Sequence, residues 1–237
     1  MGTLADEAAA LLNLTLTPEH EAAFDVYARE LAAWNAHTNL TAITDEEGVR
    51  VRHFLDSLTI VKAAPMAAGT RVIDVGTGAG FPGLPLKIVF PDIHLTLLEA
   101  TNKKLNFLRH VCDLLGISSG VEFLHARAEE AGHTPGERAT YDVVLARAVA
   151  RLPVLLEYLL PLAKVGGRCI AMKGKTAQEE AEDSSRALKV LGGKLLGIET
   201  VALPGIDEAH HLVIVEKVAP TLLAYPRKPG IPTKSPL

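Results

Sequence analysis

The sequence RVIDVGTGAGFPGLPLK, residues 71–87, decides the fold. It begins with a short run of strand-forming residues, 71–75, and continues into a loop rich in glycine. The glycines are Gly76, Gly78, Gly80 and Gly83. Glycine lets the backbone approach a ligand without an intervening Cβ. A loop of this kind, between a strand and a helix at the carboxyl edge of a parallel sheet, is where open α/β folds bind ligands. The stretch therefore predicts an α/β fold with a ligand site in this loop.

Short apolar runs alternate with helical patterns from residue 71 onward. Strands are predicted at 71–75, 94–100, 121–126, 141–147 and 167–174. Helices are predicted at 102–115, ended by Gly116, and at 152–165, interrupted by Pro161. This alternation is typical of a parallel sheet with helices on both faces. Two further runs, 196–205 and 210–218, flank a polar turn and predict an antiparallel hairpin at a sheet edge.

The segments on either side of this region have a different character. A helix is predicted over 17–35, with Thr17 as its N-cap, and its aromatic stripe is expected to be core. That stripe consists of Phe24, Tyr27, Leu31 and Trp34. A second helical stretch is predicted at about 45–64. The proline-rich, basic segment 225–237 is expected to be extended and non-helical. We therefore divide the chain into a helical cap (1–68), a ligand-binding domain (69–218) and a basic tail (219–237).

The composition excludes several classes of protein. The 237 residues carry a net charge of −4, so general coating of DNA by a basic surface is not expected. The two cysteines, Cys112 and Cys169, are far apart and form no CxxC motif, and the histidines lack metal-ligand spacing. We therefore expect no disulfide framework and no metal site. There is no signal-peptide pattern and no apolar run of roughly 18 residues, so we expect a soluble, cytoplasmic protein.

Two glycine fingerprints overlap in the loop. Gly78-x-Gly80-x-x-Gly83 matches a dinucleotide motif, which alone is a weak signal. The sequence beginning at Asp74 is Asp-x-Gly-x-Gly-x-Gly, the first motif of S-adenosylmethionine (AdoMet) methyltransferases. A carboxylate at the strand end suits the ammonium group of methionine and repels a pyrophosphate. Glu99, which ends the next strand, can accept hydrogen bonds from the ribose hydroxyls of either ligand. We expect AdoMet, and a nicotinamide cofactor is the alternative.

Seven stretches occur in the order of a known family. They are HFLDSL (53–58), DVGTGAGFPGLPL (74–86), LLEATNKKLNFL (97–108), RAEE (127–130), ARAVA (146–150), MKGK (172–175) and RKPGIPTKSPL (227–237). Together they resemble the bacterial 16S ribosomal RNA (guanine-N7) methyltransferases, also called glucose-inhibited division protein B. The resemblance covers nearly the whole chain. It implies a Rossmann-like class I AdoMet-dependent methyltransferase sheet with an N-terminal helical cap, and transfer of a methyl group to N7 of a specific guanine in 16S rRNA.

The resemblance, with the local chemistry, implies roles for individual residues. Gly76, Gly78 and Phe81 are expected to shape the methionine and ribose pocket, which Asp74 faces and whose ribose Glu99 binds. Ala128 and Glu129, just after the third strand, are expected to meet the adenine edge. Arg147, at the end of the fourth strand, is expected to reach the donor or the incoming base.

The implied reaction needs no general base. Guanine N7 carries an in-plane lone pair, so it can attack the sulfonium methyl directly. Catalysis then depends on holding the two atoms in line at about 3–3.5 Å. His53 and Asp56 leave two interpretations open: a required base, or an intramolecular pair that orients the helical cap. We name no catalytic base.

An RNA substrate must be held despite the negative net charge. The candidate cations are Arg50, Arg52, Lys103, Lys104, Arg147, Arg151, Lys173, Lys175, Arg227, Lys228 and Lys234. We single out Lys173 and the tail residues Arg227, Lys228 and Lys234 as RNA contacts. The expected partner is 16S rRNA, in the small ribosomal subunit or an assembly intermediate, and the protein is expected to be a monomer. Two alternatives remain: a methyltransferase for a small molecule or protein, and a non-catalytic RNA-binding module.

Overall fold

The chain folds around one mixed β-sheet of seven strands, in a computed structural model that describes residues 2–237. The strands are β1 Arg71–Val75, β2 His94–Glu99, β3 Val121–His125, β4 Tyr141–Arg147, β5 Ala163–Lys173, β6 Gly193–Val201 and β7 His210–Lys217. Their order in the sheet is β3-β2-β1-β4-β5-β7-β6. The first five strands are parallel, and β7 runs antiparallel to both β5 and β6. The predicted α/β fold and the predicted hairpin are both confirmed.

Helices cover both faces of this sheet. They are α1 Leu4–Leu12, α2 Pro18–Thr38, α3 Glu46–Gly48, α4 Asp56–Leu58, α5 Gly83–Val89, α6 Asn102–Leu115, α7 Ala128–Ala131, α8 Leu152–Leu159, α9 Ala177–Glu182, α10 Ser185–Leu191 and α11 Ile231–Lys234. A π-helical stretch, Val49–Leu55, lies between α3 and α4, and a 3₁₀ turn, Thr59–Lys62, follows α4. Among residues 2–237, no helix is both long and apolar enough to cross a membrane.

Each face of the sheet has its own hydrophobic core, because successive side chains of a strand point to opposite faces. In β1, Val72 belongs to one core and Ile73 to the other. The first core includes the predicted aromatic stripe of α2. Phe24, Tyr27 and Leu31 are buried as expected, and Trp34 is partly buried. The N-terminal helices therefore share a core with the ligand-binding sheet.

The predicted helix 152–165 is too long. Helix α8 ends at Leu159, and residues 163–165 already belong to β5. Pro161 explains the break, because it lacks the N–H that a continuing helix would need. The strand β5 consequently starts four residues earlier than the predicted 167.

The predicted helical stretch 45–64 is confirmed in outline, but its middle is π-helical. Val49–Leu55 carries His53 within it, and Asp56 follows directly. Both side chains are buried against the sheet although both are polar. π-Helical turns occur often at functional sites because they redirect side chains. This one brings the two residues to the end of β4.

The expectation of a non-helical tail is wrong in part. Residues 231–234 form one helical turn, α11, with Pro232 in its first turn. Proline is tolerated there, because the first N–H groups of a helix have no partner within the helix. Gly230 precedes the turn with φ +82°, a conformation that favours glycine. The tail thus folds back against the sheet domain.

Candidate functional site

A cavity of about 640 Å³ lies at the carboxyl ends of the parallel strands. Its walls are formed by Val75, Gly76, Leu98, Glu99, Ala100, Ala126, Arg127, Ala128, Glu129, Val149, Ala150, Arg151, Pro153, Val154, Tyr158, Asp183, Gly230, Thr233, Pro236 and Leu237. The residues from Val75 to Ala150 lie at the carboxyl ends of β1 to β4 or shortly after them. The last four residues come from the tail. The cavity is therefore at the edge of the sheet where the glycine loop predicted a ligand.

Four of the residues predicted to hold the cofactor line this cavity, namely Gly76, Glu99, Ala128 and Glu129. Four others lie around it without lining it, namely Asp74, Gly78, Phe81 and Arg147. Of the second group, Gly78 holds Glu99 in place, and Arg147 contacts the helical cap and the ring of Phe81.

Glu99 is held in position by the backbone. Its Oε2 accepts a hydrogen bond from the Gly78 N–H at 3.1 Å, and its Oε1 accepts one from the Thr101 N–H at 2.8 Å. The Nζ of Lys104 lies 3.9 Å from Oε2. An ionised carboxylate has about four acceptor positions, so capacity remains for a pair of hydroxyl donors from the cavity. Glu99 therefore fits the predicted role of a ribose ligand.

The glycine loop is shaped by left-handed backbone and by the helical cap. Gly76 has φ +69°, and a Cβ added there would lie 2.9 Å from Cγ2 of Val149. The hydroxyl of Tyr27, from α2, donates a hydrogen bond to the carbonyl of Ala79 within the loop. The N-terminal helices thus fix the loop that forms one wall of the cavity.

Asp74 lies beneath the loop. Its side chain is fully buried, and Oδ2 accepts hydrogen bonds from the Thr77 hydroxyl at 2.6 Å and the Gly83 N–H at 2.9 Å. Its Oδ1 has no partner among the described residues. Burial raises the pKa of Asp74 to about 6, although the two hydrogen bonds oppose the shift. The unpartnered Oδ1 is an acceptor that a water or an ammonium group could satisfy.

Ala128 and Glu129 begin α7 directly after β3. The Ala128 N–H belongs to the first turn, so it has no acceptor within the helix. Glu129 is buried, and its Oε1 accepts from the Gly230 N–H of the tail at 3.3 Å. A donor and an acceptor are thus available side by side, as binding of an adenine edge requires.

Arg147 binds the helical cap. Its Nη1 donates to the Arg52 carbonyl at 2.8 Å and to Oδ2 of Asp56 at 3.2 Å. Its Nη2 lies 3.1 Å from Nδ1 of His53. The guanidinium also lies over the ring of Phe81, 5.1 Å from the ring centre. Sequence reasoning predicted a contact with donor or base, and the structure shows these internal contacts.

His53 is held by contacts at both ring nitrogens. Its Nδ1 lies 3.1 Å from Nη2 of Arg147 and 3.2 Å from the Arg52 carbonyl, and its Nε2 lies 2.8 Å from the Thr41 hydroxyl. Burial, and then the charge of Arg147, lower the pKa of His53 to about 4. His53 also stacks on Phe81, with ring centres 4.4 Å apart. A neutral ring with both nitrogens engaged favours the orienting interpretation over the general-base one.

A second cavity, of about 810 Å³, adjoins this cluster. Arg147 and Ala148 line it, whereas Val149 and Ala150 of the same loop line the first cavity. The loop after β4 therefore separates two spaces. Other residues around the second cavity include Arg52, Asp56, Lys173, Lys175, Glu208, His210 and His211. Charges of both signs line this cavity, because Glu180 and Asp207 belong to it as well, and two of its cations are paired, Arg147 with Asp56 and Lys173 with Glu180.

The predicted RNA contacts differ in how freely they present their charge. Lys173 donates to the Ala150 carbonyl at 2.5 Å and pairs with Glu180 at 2.7 Å. Arg227 pairs with the buried Glu157. Lys228 and Lys234 are exposed and form no ion pair with the described residues. In the part of the chain that the structure describes, no three His, Cys, Asp or Glu residues group as metal ligands.

A family model for rRNA small subunit methyltransferase G matches residues 20–212. The chain belongs to this family. It is similar to Ribosomal RNA small subunit methyltransferase G of Lactobacillus delbrueckii subsp. bulgaricus, at 48% identity over 95% of each chain. The protein of the same name from Alkaliphilus metalliredigens is 49% identical over 87% of this chain and 86% of the relative. The resemblance seen in the sequence motifs is therefore confirmed.

Solved structures share the fold at low sequence identity. A SAM-dependent methyltransferase from Aquifex aeolicus has a TM-score of 0.55 and 19% identity, covering 73% of this chain and 94% of that one. TrmN from Thermus thermophilus has a TM-score of 0.54 and 23% identity, covering 71% of this chain and 53% of that one. The predicted Rossmann-like class I methyltransferase sheet is confirmed by these similarities.

Several residues around the two cavities were not predicted from the sequence. The tail residues of the first cavity, the Thr41 hydroxyl and the carbonyl of Arg52 carried no signal of a role. His210 begins β7, and its Nδ1 lies 3.2 Å from Oδ1 of Asp56, a contact that the sequence did not indicate. The proximity of His210 to the HFLDSL segment, 154 residues away from Asp56 in sequence, is visible only in three dimensions.

Proposed function

We propose that the chain transfers a methyl group from AdoMet to N7 of a specific guanine in 16S rRNA. The observation that carries the proposal is the cavity at the strand ends, where Gly76, Glu99 and Ala128 converge in a chain of this family. Family membership favours AdoMet over the nicotinamide alternative, and the acceptor-rich cavity fits it.

The residues of the first cavity match the parts of AdoMet. Glu99 would accept from the ribose hydroxyls, since it lines the cavity and its carboxylate has acceptor capacity left. The Ala128 N–H and the Glu129 carboxylate would meet the adenine edge. The unpartnered Oδ1 of Asp74 would receive the ammonium group through water, because the side chain lies beneath the loop. Gly76 keeps the wall clear of a Cβ.

When bound, AdoMet supplies an electrophilic methyl group on a sulfonium. The role left for the protein is to hold the guanine so that N7 faces this methyl, which is a positioning effect. No residue has to remove a proton from N7, because the lone pair is available in the neutral base. The neutral, fully engaged His53 supports a mechanism without a general base.

The second cavity is the proposed place of the guanine. It shares the β4–α8 loop with the first, so a base there would approach the donor across Ala148 and Val149. Lys175 and His211, which both line it, could donate to guanine O6 and leave N7 free. A donor bonded to N7 itself would block the nucleophile.

The proposed substrate is 16S rRNA within the small subunit or an assembly intermediate, methylated in the cytoplasm by a monomer. The exposed Lys228 and Lys234 support an electrostatic contribution to RNA binding. The domain boundaries at residues 68 and 218 are part of the same proposal, with the cap orienting the loop and the tail beside the donor cavity.

The substrate class is tested by transfer of tritiated methyl groups from AdoMet. The acceptors are small subunits from a strain lacking the enzyme, naked 16S rRNA, ribosomal proteins and a small-molecule extract. Label in 16S rRNA supports the proposal. Label confined to protein or small molecules would establish the alternative methyltransferase, and no label with AdoMet bound would establish a non-catalytic module.

A further inference from the structure

The tail contributes a wall to the donor cavity. Gly230, Thr233, Pro236 and Leu237 line it, opposite the strand ends that carry Glu99. Leu237 also packs against the core on that face of the sheet. These residues belong to the motif RKPGIPTKSPL, whose basic residues the sequence analysis assigned to RNA binding. The structure thus places the end of the motif in contact with the donor side of the site.

Arg227 fastens this wall to the protein interior. Its Nη2 lies 2.6 Å from Oε2 of Glu157, its Nε lies 2.9 Å from Oε1, and its own backbone N–H donates to Oε1 at 2.7 Å. Glu157, on α8, has no exposed surface. A two-pronged arginine–carboxylate pair fixes orientation as well as distance. The Arg227 guanidinium is therefore bound to a carboxylate in the protein interior.

Further contacts continue from this pair towards the cavity. The Gly230 N–H donates to Oε1 of Glu129 at 3.3 Å. The hydroxyls of Thr233 and Tyr158 lie 3.3 Å apart, and Tyr158 itself lines the cavity. The tail thus reaches the carboxylate proposed to meet adenine only three residues after Arg227.

The segment before Arg227 is tied down equally well. The guanidinium of Arg138 donates to the carbonyls of Thr221 and Tyr225, both at 2.8 Å. His133 Nε2 lies 2.7 Å from the carbonyl of Pro226. Fixed on both sides, Arg227 sets the path of the residues that follow.

We propose that Arg227, through Glu157, is a positioning residue for AdoMet, and that the tail residues Gly230, Thr233, Pro236 and Leu237 form part of the AdoMet site. Arg227 is then not an RNA contact. This inference rests on the proposed function, since it assumes that AdoMet fills the first cavity. The tail thereby has two tasks: Lys228 and Lys234 are exposed to solvent, and Gly230, Thr233, Pro236 and Leu237 line the donor cavity.

The test compares binding of AdoMet by calorimetry in four full-length proteins: wild type, Glu157→Gln, Thr233→Tyr and Ser235→Tyr. Glu157→Gln removes the charge that holds Arg227, at a position that RNA cannot touch. We expect about tenfold weaker AdoMet binding, the scale of one lost hydrogen bond to a charged group. The KM for AdoMet should rise with it, while kcat and the RNA affinity of the unliganded protein stay within about twofold of wild type.

If Glu157→Gln fails to fold, Thr233→Tyr still tests whether the tail forms part of the AdoMet site. Thr233 is exposed and lines the cavity, so added bulk intrudes on the donor and should also weaken binding by about tenfold or more. Ser235→Tyr is the matched control, exposed on the same segment but outside the cavity wall. It should bind AdoMet like wild type.

Wild-type affinity in both Glu157→Gln and Thr233→Tyr would overturn the inference while leaving the proposed function intact. Loss of RNA affinity in Glu157→Gln with unchanged AdoMet affinity would also overturn it and return Arg227 to the RNA surface. A wild-type protein that binds no AdoMet would refute the proposed function, and this inference with it.

Discussion

Nη2 of Arg147 lies 3.1 Å from Nδ1 of His53. This contact joins the end of strand β4 to the π-helical stretch of the cap. Burial and the charge of Arg147 lower the pKa of His53 to about 4, so the ring is neutral at pH 7, and its Nε2 lies 2.8 Å from the Thr41 hydroxyl. The loop between the two cavities therefore depends on a neutral histidine in the interior.

The first prediction concerns pH and the stability contributed by His53. Its pKa is about 4 in the folded protein, against an ordinary value of 6.5. Between these values the unfolded chain takes up a proton that the folded chain does not, so stability falls as pH drops from 6.5 towards 4. At pH 5 the free energy of unfolding is lower by about 2 kcal/mol because of this one group. His53→Gln should abolish that part of the pH dependence.

The measurement is urea unfolding of wild type and His53→Gln at pH 7 and pH 5. The stability difference between the two should narrow by about 2 kcal/mol at the lower pH. His37→Gln, which alters an exposed histidine at the end of α2, is the control and should track wild type. An unchanged difference between pH 7 and pH 5 would mean that His53 is not held neutral.

Replacing Glu99 should weaken AdoMet binding. In Glu99→Ala the ribose loses its proposed acceptor, and the Gly78 and Thr101 N–H groups lose their carboxylate partner. We expect a loss of at least about tenfold in affinity by calorimetry. Glu122→Ala, an exposed carboxylate on neighbouring β3, should leave affinity unchanged. Equal affinity in Glu99→Ala and wild type would remove Glu99 from the site.

Asp74 should make AdoMet binding depend on pH. Its pKa is about 6, so roughly nine-tenths of the carboxylate is protonated at pH 5. A proposed ammonium partner is held better by the charged form, and affinity should fall by up to about tenfold between pH 7 and pH 5. Asp74→Asn should bind more weakly at pH 7 and lose this dependence. A variant that retained the wild-type pH profile would contradict the assignment.

Of the four cations singled out as RNA contacts, Lys228 and Lys234 are exposed and form no ion pair with the described residues. Removing both in Lys228→Ala/Lys234→Ala should weaken RNA binding at low salt. It should also reduce the slope of log affinity against log salt by about one to two, since each phosphate contact contributes roughly 0.7–0.9. Filter binding over a salt series measures this. Lys189→Ala, an exposed charge on α10, is the control. An unaltered slope in the double variant would place the RNA elsewhere.

Much of the fold could be predicted because its signals are local. The strand–glycine–helix pattern at Asp74 and the alternation of apolar runs each depend on residues close in sequence. Glu99 could be placed at the cavity for the same reason, since a residue ending a parallel strand must reach the ligand edge. The length of α8 was misjudged because Pro161 could be interpreted as a kink or as an end.

The rest depends on contacts between residues distant in sequence. Arg227 looked like an RNA contact because its neighbours are basic, and nothing near it in sequence indicates Glu157, which lies 70 residues earlier. The engagement of Arg147 by the cap is equally non-local, at a separation of 94 residues from His53. A charged residue's role depends on what it pairs with, and pairing of this kind is set by the tertiary fold.

The central claim, methylation of guanine N7 in 16S rRNA, is tested most directly by mass spectrometry. Small subunits from a strain lacking the enzyme are incubated with the protein and AdoMet carrying a deuterated methyl group, and the 16S rRNA is then digested to nucleosides and to mapped fragments. We predict a single deuterated 7-methylguanosine, at one position of the RNA. Deuterium on another atom or another nucleoside, or none in RNA while the protein binds AdoMet, would contradict the account.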